Sequence, residues 1–311
     1  HKVLHAALSL KPGRNKVIAE ADCFPSDLYV LEGVKSLRPD LEILLEGRDG
    51  SSIHEMLDEQ VAAVLINHVD YRSGTIRDME NLTRQVQEFG GLAVWDLSHS
   101  AGIFPVQLNR CRVDFAVGCT YKYLNGGPGA PAYLYAASRH HTACNQPLSG
   151  WFGHARPFDF ERHFDPDSGI RRFVCGTQPI LSLRALQSGL EIYQDVSLQQ
   201  VREKSMALTD LFIKLLKNEC AAWELEIISP EDASQRGSQV AVSHPQGYAV
   251  MQALISRGVI GDFRAPNLMR FGFAPLFLSY QDIHDAVKQL KQILESEEWN
   301  QEAFLQKSKV T

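Results

Sequence analysis

Apolar and polar positions follow two different patterns along the first half of the chain. Short continuous apolar runs alternate with stretches of helical periodicity, of which 75–89 is the clearest. Continuous apolar runs are typical of strands that are buried on both faces of a parallel sheet, so the alternation predicts an α/β domain. The predicted strands are 16–19, 43–46, 61–69, 92–95, 115–119 and 132–135.

The second half begins with an irregular segment, 145–177, which is rich in proline, glycine and aromatic residues. Its lack of a period predicts a long functional loop. Helices are predicted from Pro179 to about 193 and from 197 to about 223. We therefore predict a large α/β domain at 1–177, followed at 178–311 by a linking helix and a small C-terminal α+β domain.

The last predicted helix has a clear beginning and a clear buried face. Ser279 is the expected N-cap, and Asp282 three residues later gives a start that resembles a capping box. Apolar residues then recur at helical spacing and predict the buried stripe. These residues are Ile283, Val287, Leu290 and Leu294.

Composition and charge exclude several classes of function. The 311 residues carry a net charge of -6, and lysine and arginine are scattered, so we expect no nucleic-acid partner. Apolar runs are short, which predicts no membrane span, and no secretory signal opens the chain. The six cysteines form no CxxC pair and the eleven histidines show no zinc-ligand spacing. We expect reduced thiols in a cytoplasmic protein and no metal site.

Candidate chemistry lies after two of the predicted strands. Lys122 follows the apolar run 115–117 and precedes a glycine-rich turn, while Asp96 ends the run 92–95 and His99 comes shortly after it. A lysine at the end of a buried strand loses hydration, which favours its neutral, nucleophilic amine. An acid and a lysine at neighbouring strand ends are the pair that a pyridoxal phosphate site needs. Taken alone, they could equally be a solvated lysine, a helix N-cap and a structural histidine.

Several motifs are spread over nearly the whole chain. They are Phe24-Pro25-Ser26-Asp27, the segment from Asp96 to His99, Tyr121-Lys122-Tyr123-Leu124-Asn125, Leu148-Ser149-Gly150-Trp151-Phe152-Gly153-His154, Cys175-Gly176-Thr177-Gln178-Pro179 and Arg270-Phe271-Gly272. In these motifs and in their order the chain resembles kynureninase, a pyridoxal-phosphate enzyme of fold type I. The resemblance implies a largely parallel sheet of the seven-stranded type flanked by helices, a smaller C-terminal α+β domain and a homodimer.

The resemblance implies a role for each residue near the cofactor ring. Lys122 binds the cofactor covalently, Asp96 keeps the pyridine nitrogen protonated, and His99 supports Asp96 or the cofactor. Phe24 stacks on the ring, and Asp27 is a second carboxylate facing it; ordinary packing and a turn are the alternatives. Asn67 departs from the family, which often has a small hydroxyl residue near the ring oxygen.

Further implied roles concern the phosphate and the substrate. Tyr121 contacts the phosphate and donates protons, although it could simply be a strand aromatic. Trp151 and Thr177 bind the phosphate across a dimer interface. Arg270 lies in the apolar stretch 268–273, where a guanidinium is costly to bury without a partner. It is expected to bind the substrate α-carboxylate; an internal salt bridge is the alternative.

The implied activity is hydrolysis of L-kynurenine to anthranilate and L-alanine in tryptophan catabolism, with 3-hydroxykynurenine as a possible competing substrate. In it, Lys122 removes the Cα proton and Tyr121 moves protons to the departing or resulting carbon. Another fold-type-I activity, such as a cysteine desulfurase or aminotransferase, stays open, as does a catalytically silent binding protein. Because family members carry roughly a hundred further residues before this point, we expect a truncated chain.

Overall fold

A computed structural model describes residues 1–307 of the chain, which form two compact units. The first unit comprises residues 1–68, 77–101 and 106–192. The second comprises residues 69–76, 102–105 and 193–307. The sequence placed the domain boundary after residue 177, whereas the main chain passes to the second unit between Ile192 and Tyr193.

The first unit is built around one mixed sheet in the order β2-β1-β3-β4-β5-β6. Neighbouring strands are parallel except β6, which runs antiparallel to β5. The expected type of sheet has seven strands, and the described residues of this unit provide six. The strands are Lys16–Glu20 (β1), Glu42–Glu46 (β2), Val61–Asn67 (β3), Leu92–Asp96 (β4), Phe115–Gly118 (β5) and Tyr133–Ala136 (β6).

Helices and loops bury this sheet on both faces. All seven residues of β3 are buried, and from Ala63 to Ile66 they alternate between two apolar clusters: Ala63 and Leu65 contribute to one, Val64 and Ile66 to the other. This two-sided burial explains why the strand is a continuous apolar run in the sequence. The helices of the unit are Lys2–Ser9 (α1), Pro25–Leu37 (α2), Ile53–Met56 (α3), Met79–Glu88 (α4) and Ile180–Glu191 (α5).

The parallel strands end in polar residues at one edge of the sheet. Glu20, Asn67 and Asp96 are the last residues of β1, β3 and β4, and Asn67 lies directly opposite Asp96 in the strand register. Ligands of such sheets bind beyond the carboxyl ends of the strands. The edge therefore carries three functional-group side chains where a ligand is expected.

In the second unit, the described residues pack four helices with a four-stranded antiparallel sheet of order β7-β8-β10-β9. Its strands are Glu226–Ile227 (β7), Gln239–Ser243 (β8), Asp262–Arg264 (β9) and Leu268–Gly272 (β10). Its helices are Leu198–Glu219 (α6), Gly247–Ser256 (α7), Tyr280–Glu295 (α8) and Glu302–Leu305 (α9). No helix among residues 1–307 combines the length and the apolar character needed to cross a bilayer.

Helix α8 begins and packs as the sequence predicts. The hydroxyl of Ser279 accepts the Asp282 N–H, and the Asp282 carboxylate accepts the Ser279 N–H at 2.7 Å, which completes the capping box. The predicted stripe is buried, and Ile293 joins it. Capping and burial of one face together account for the helix.

The short segment 69–76 follows β3 in the sequence but belongs to the second unit. Its backbone is bound to residues far along the chain: Gln239 Nε2 donates to the Tyr71 carbonyl at 2.9 Å, and the Gly237 N–H donates to the Gly74 carbonyl at 2.7 Å. The second unit is therefore completed by residues from the first third of the sequence.

Candidate active site

A cleft of about 640 Å³ lies at the carboxyl ends of the strands of the first unit. It collects residues from segments that follow β1, β3, β4 and β5, which converge because parallel strands end at the same edge. Of the residues that the sequence predicts for a site, those lining the cleft are Phe24, Asn67, Asp96, His99, Tyr121 and Lys122.

Lys122 lies on the turn that connects β5 to β6 and is half-buried. Its Nζ is 3.1 Å from Nε2 of His99 and 5.9 Å from the centroid of the Phe24 ring. The turn is closed by the Asn125 N–H, which donates to the Lys122 carbonyl at 3.0 Å, and Asn125 adopts a left-handed conformation with φ of 59°. The turn thus holds the Lys122 backbone in place and leaves its side chain in the cleft.

The Asp96 carboxylate is anchored on one side. Its Oδ1 accepts the Ser98 N–H at 2.6 Å, and the Asp96 carbonyl accepts the His68 N–H at 3.0 Å. A carboxylate fixed by a backbone donor keeps a defined orientation. Asp96 is therefore placed at the strand end as an oriented acceptor in the cleft.

Asp27 and Asn67 form a second polar group beside Asp96. The Asn67 amide donates to Asp27 Oδ2 at 3.4 Å, and its backbone N–H donates to Glu20 Oε2 at 2.8 Å. Burial, and secondarily the negative charge of Asp96, raises the pKa of Asp27 to about 7. Glu20, Asp27 and Asp96 thus lie close enough to raise the cost of ionising Asp27, and Asn67 donates one hydrogen bond each to Glu20 and Asp27.

Tyr121 lies at the mouth of the cleft with half of its surface exposed. Partial burial, followed by the neighbouring Cys119, raises the pKa of its hydroxyl. The group therefore stays protonated at neutral pH, which suits a donor of hydrogen bonds or protons better than a base.

Trp151 and Thr177 are both exposed and are not among the residues that line the cleft. Trp151 instead belongs to an exposed aromatic cluster with its ring 5.6 Å from Phe158 and 6.1 Å from Phe160. The loop that carries the cluster closes at Gly150, where an added Cβ would lie 1.9 Å from the Cys175 carbonyl oxygen, so only glycine fits.

Arg270 lies on β10 of the second unit, in a dense set of hydrogen bonds. Its Nε donates to Asp262 Oδ1 at 2.7 Å and its Nη2 donates to Asp262 Oδ2 at 2.6 Å. Its Nη1 donates to the Tyr71 carbonyl. The internal salt bridge weighed for this arginine is thus present, and its binding of a substrate carboxylate stays a prediction.

Sequence reasoning did not single out Glu20 or Asp262, and it considered Cys119 only as a possible nucleophile of a desulfurase. Glu20 ends β1, so the strand-end rule that selected Asp96 could have found it. Cys119 stands directly after β5 and lines the cleft. Asp262 lies on a strand of three residues, which is too short to carry a period, and its partner Arg270 could not be inferred from local sequence.

The donor set of the cleft fits pyridoxal phosphate. Asp96 lines the cleft, and Asp27 lies behind it on the amide of Asn67, close enough for the charge of Asp96 to contribute to the raised pKa of Asp27. A protonated pyridine ring supplies the positive charge that would offset this repulsion. Phe24 offers a flat apolar surface, and Lys122 offers an amine within the same cleft.

Comparison with known proteins gives consistent matches over the whole chain. Residues 201–290 match the family model described as Kynureninase C-terminal domain. The chain is 46% identical to the kynureninase of Burkholderia mallei (strain SAVP1), covering 100% of this chain and 74% of that relative. It is 45% identical to the kynureninase of Pseudomonas fluorescens, covering 100% and 76%.

Two solved structures have a similar fold at low identity. The apo cysteine desulfurase from Thermococcus onnurineus NA1 has a TM-score of 0.76 at 18% identity and covers 94% of this chain and 76% of its own. The cystine C-S lyase C-DES, in complex with cysteine persulfide, has a TM-score of 0.77 at 15% identity and covers 93% and 80%. At such identities the likeness shows the fold alone, which is that of fold-type-I enzymes.

Proposed function

The chain belongs to the kynureninase family, and from this premise we propose how its residues divide the work of the reaction. The activity is pyridoxal-phosphate-dependent hydrolysis of the Cβ–Cγ bond of L-kynurenine, which yields anthranilate and L-alanine in the kynurenine pathway of tryptophan catabolism. The observation that carries the residue assignment is the convergence of Lys122, Asp96 and Phe24 in one cleft.

The bound cofactor supplies an electron sink for the bonds around the substrate Cα and Cβ. Lys122 would hold the cofactor through its amine and would serve as the base for the Cα proton of the substrate. Its side chain lines the cleft, and its backbone is fixed by the turn after β5. His99, at 3.1 Å from Nζ, orients the lysine side chain.

Asp96 and Asp27 hold the positive end of the ring. The Ser98 N–H fixes one oxygen of Asp96, so the carboxylate is already oriented before the ring nitrogen arrives. Asp27 adds a second carboxyl, and Asn67 donates to it. Preorganised charge of this kind stabilises the protonated ring without further rearrangement.

Tyr121 would transfer protons to the departing or resulting carbon of the substrate and would contact the cofactor phosphate. The raised pKa of its hydroxyl keeps it in the donor form. Arg270 binds the substrate α-carboxylate through its guanidinium, which matches a carboxylate in charge and planar shape.

We further propose a homodimer in which Trp151 and Thr177 of one subunit contact the phosphate bound in the other. The exposed cluster of Trp151, Phe158 and Phe160 supports this arrangement, because contiguous exposed apolar surface commonly marks an interface. A cytoplasmic location is proposed as well, since all six cysteines are free thiols.

The alternatives weighed from the sequence are not favoured. A desulfurase needs a nucleophilic cysteine on a mobile loop, and the cysteines of this sequence that come closest to that requirement are Cys119 and Cys175. The Cys175 thiol donates to the Leu148 carbonyl at 3.2 Å, while Cys119 lies in the cleft beside Tyr121. The 46% identical relative is a kynureninase, whereas the desulfurase likeness is one of fold.

The experiment is a direct assay with a matched lysine control. Protein supplied with pyridoxal phosphate should convert L-kynurenine to fluorescent anthranilate and an equal amount of L-alanine. Lys122→Ala should abolish product, while Lys2→Ala, which alters another lysine at the cleft, should retain activity. A cofactor-loaded protein that releases no anthranilate, or sulfide formation from cysteine in its place, would contradict the assignment.

A further inference from the structure

Two arginines in the second unit share one carboxylate. Asp262 accepts two hydrogen bonds from Arg270, at 2.7 and 2.6 Å, and lies 3.4 Å from Nη2 of Arg264. Arg264 also donates from Nη1 to the Phe263 carbonyl at 2.9 Å. Two guanidinium charges against one carboxylate leave the group of Asp262, Arg264 and Arg270 with a net positive charge.

This positive group is partly shielded from water, most of all at Arg270. The side chain of Arg270 is 11% exposed, and those of Arg264 and Asp262 are 32% and 34% exposed. Burial, followed by the charge of Arg270, lowers the pKa of Arg264. An unbalanced charge in such a place is stabilised by an anion, and the cost of leaving it unbalanced rises as water is excluded.

The way Asp262 is bound leaves part of the Arg270 guanidinium available. An arginine side chain has five N–H donors. Within the described residues, Nε donates once to Asp262, Nη2 once to Asp262 and Nη1 once to the Tyr71 carbonyl. Each terminal nitrogen thus retains one further N–H, and two such donors on one plane suit a bidentate carboxylate.

Asp262 and Tyr71 also fix the guanidinium from two directions. The Tyr71 ring lies beneath it, with its centroid 5.6 Å from the Arg270 Cζ. Asp262 binds the Nε and Nη2 edge of the guanidinium, and the Tyr71 carbonyl binds Nη1. The long side chain therefore has little conformational freedom left to lose when a ligand binds. Preorganisation of this kind increases affinity without adding a contact to the ligand.

We propose that Asp262 is a positioning residue for substrate recognition, which holds Arg270 for the α-carboxylate, and that Arg264 supplies the excess positive charge. The inference rests on the proposed function through the role of Arg270. The competing account is that Asp262 occupies the position of the ligand carboxylate and opposes binding. The two accounts differ in sign: removing the Asp262 charge weakens carboxylate binding in the first and strengthens it in the second.

The test compares two ligands that differ only at the carboxylate, L-alanine and L-alaninamide, on the full chain loaded with pyridoxal phosphate. Affinities are measured by titration calorimetry, so the readout does not depend on turnover. In Asp262→Asn the dissociation constant of alanine should rise by about 10–100-fold. This is the range typical for loss of a residue that orients a ligand-binding group, as measured for residues that orient metal ligands. The dissociation constant of alaninamide should stay unchanged. Asp285→Asn, an exposed acid of α8, is the matched control and should leave both unchanged.

Two further variants keep the inference testable. Arg264→Gln should weaken the binding of alanine by about two- to fivefold, the range of a partly exposed charge pair, and should leave the binding of alaninamide unchanged. Asp262→Glu keeps the charge but displaces the carboxylate, so it carries the test if Asp262→Asn does not fold; it should weaken alanine by about tenfold or more.

The outcomes separate this inference from the proposed function. If wild-type protein does not prefer alanine over alaninamide, the role of Arg270 fails and the inference fails with it. If wild-type protein shows the preference and Asp262→Asn retains it, only the inference on Asp262 is overturned. Tighter alanine binding in Asp262→Asn would also overturn it, in favour of competition. Equal weakening of both ligands would reduce Asp262 to a merely structural residue.

Discussion

Nζ of Lys122 and Nε2 of His99 lie 3.1 Å apart, within hydrogen-bonding distance. The two residues come from turns after different strands, β5 and β4, and meet only because those strands are neighbours in the sheet. The imidazole therefore limits the positions open to the lysine amine before any ligand binds.

Replacing His99 with phenylalanine keeps a ring of similar size and removes the hydrogen bond to Lys122. Losing a hydrogen bond of about 0.5–1.5 kcal/mol should raise the dissociation constant of pyridoxal phosphate about two- to tenfold. Absorbance titration of cofactor-free protein measures this. His163→Phe, at an exposed loop position, is the control, and an unchanged affinity in His99→Phe would remove the orienting role.

Borohydride reduction of the loaded protein should fix a pyridoxyl group on Lys122. The reason is that Lys122 Nζ lies in the same cleft as Phe24 and Asp96. Peptide mass spectrometry locates the modification. Lys2 also lines this cleft, so a pyridoxyl group found on Lys2 instead would show the assignment to be wrong.

Asp96→Asn should lower kcat by about 10²–10³-fold, because the neutral amide no longer holds a protonated ring. The side-chain oxygen of asparagine can still accept the Ser98 N–H, so the strand end should keep its conformation. Steady-state kinetics and a thermal unfolding curve test the two parts separately. Asp58→Asn, whose side chain pairs with Lys16 and is 45% exposed, is the control. Near-normal turnover in Asp96→Asn would exclude the role.

The pKa of Asp27, raised from 3.8 to about 7, predicts a pH-dependent stability of the cofactor-free protein. Between these values the folded state binds a proton that the unfolded state does not, so the free energy of unfolding should fall as pH rises. Below the lower value the contribution is fully present; above about 7 it is lost. Asp27→Asn lacks this contribution. The stability of the variant relative to wild type should therefore increase from about pH 4 to about pH 7 in urea unfolding. If the difference in free energy of unfolding between Asp27→Asn and wild type were the same at about pH 4 and about pH 7, the raised pKa of Asp27 would be contradicted.

Shared sites predict complementation between inactive subunits. If Trp151 of one chain serves the phosphate in the other, mixing Lys122→Ala with an inactive Trp151→Ala protein should recover about a quarter of wild-type activity. Random pairing makes half of the dimers mixed, each with one intact site. Light scattering on active protein gives an independent check, and a strictly monomeric active species would rule sharing out.

Much of the fold could be predicted because its signals are local. The buried faces of β3 and α8 impose their own periods on the sequence, and Ser279 with Asp282 marks where α8 begins. The helix predicted at 75–89 begins only at Met79, because Asp78 caps it and the preceding residues belong to the second unit. Contacts that decide such boundaries join distant parts of the chain, and no local pattern records them.

The candidate site likewise contains some residues that the local sequence could select and others that it could not. Lys122 and Asp96 could be selected because both stand at the ends of apolar strands. Trp151 and Thr177 rested on family resemblance, since an irregular loop carries no period. The binding of Arg270 by Asp262 and by the Tyr71 carbonyl could not be predicted, because that carbonyl lies far from β10 in the sequence.

The segment 69–76 has a consequence for how the protein is made. During synthesis it emerges well before its partners Gln239 and Arg270, which follow Tyr71 by 168 and 199 residues. The second unit cannot reach its final hydrogen bonding until those later residues have been added. A C-terminal fragment beginning at Tyr193 would lack the Tyr71 carbonyl altogether. Attempts to express that unit by itself should therefore yield a protein with unsatisfied polar groups and a tendency to aggregate.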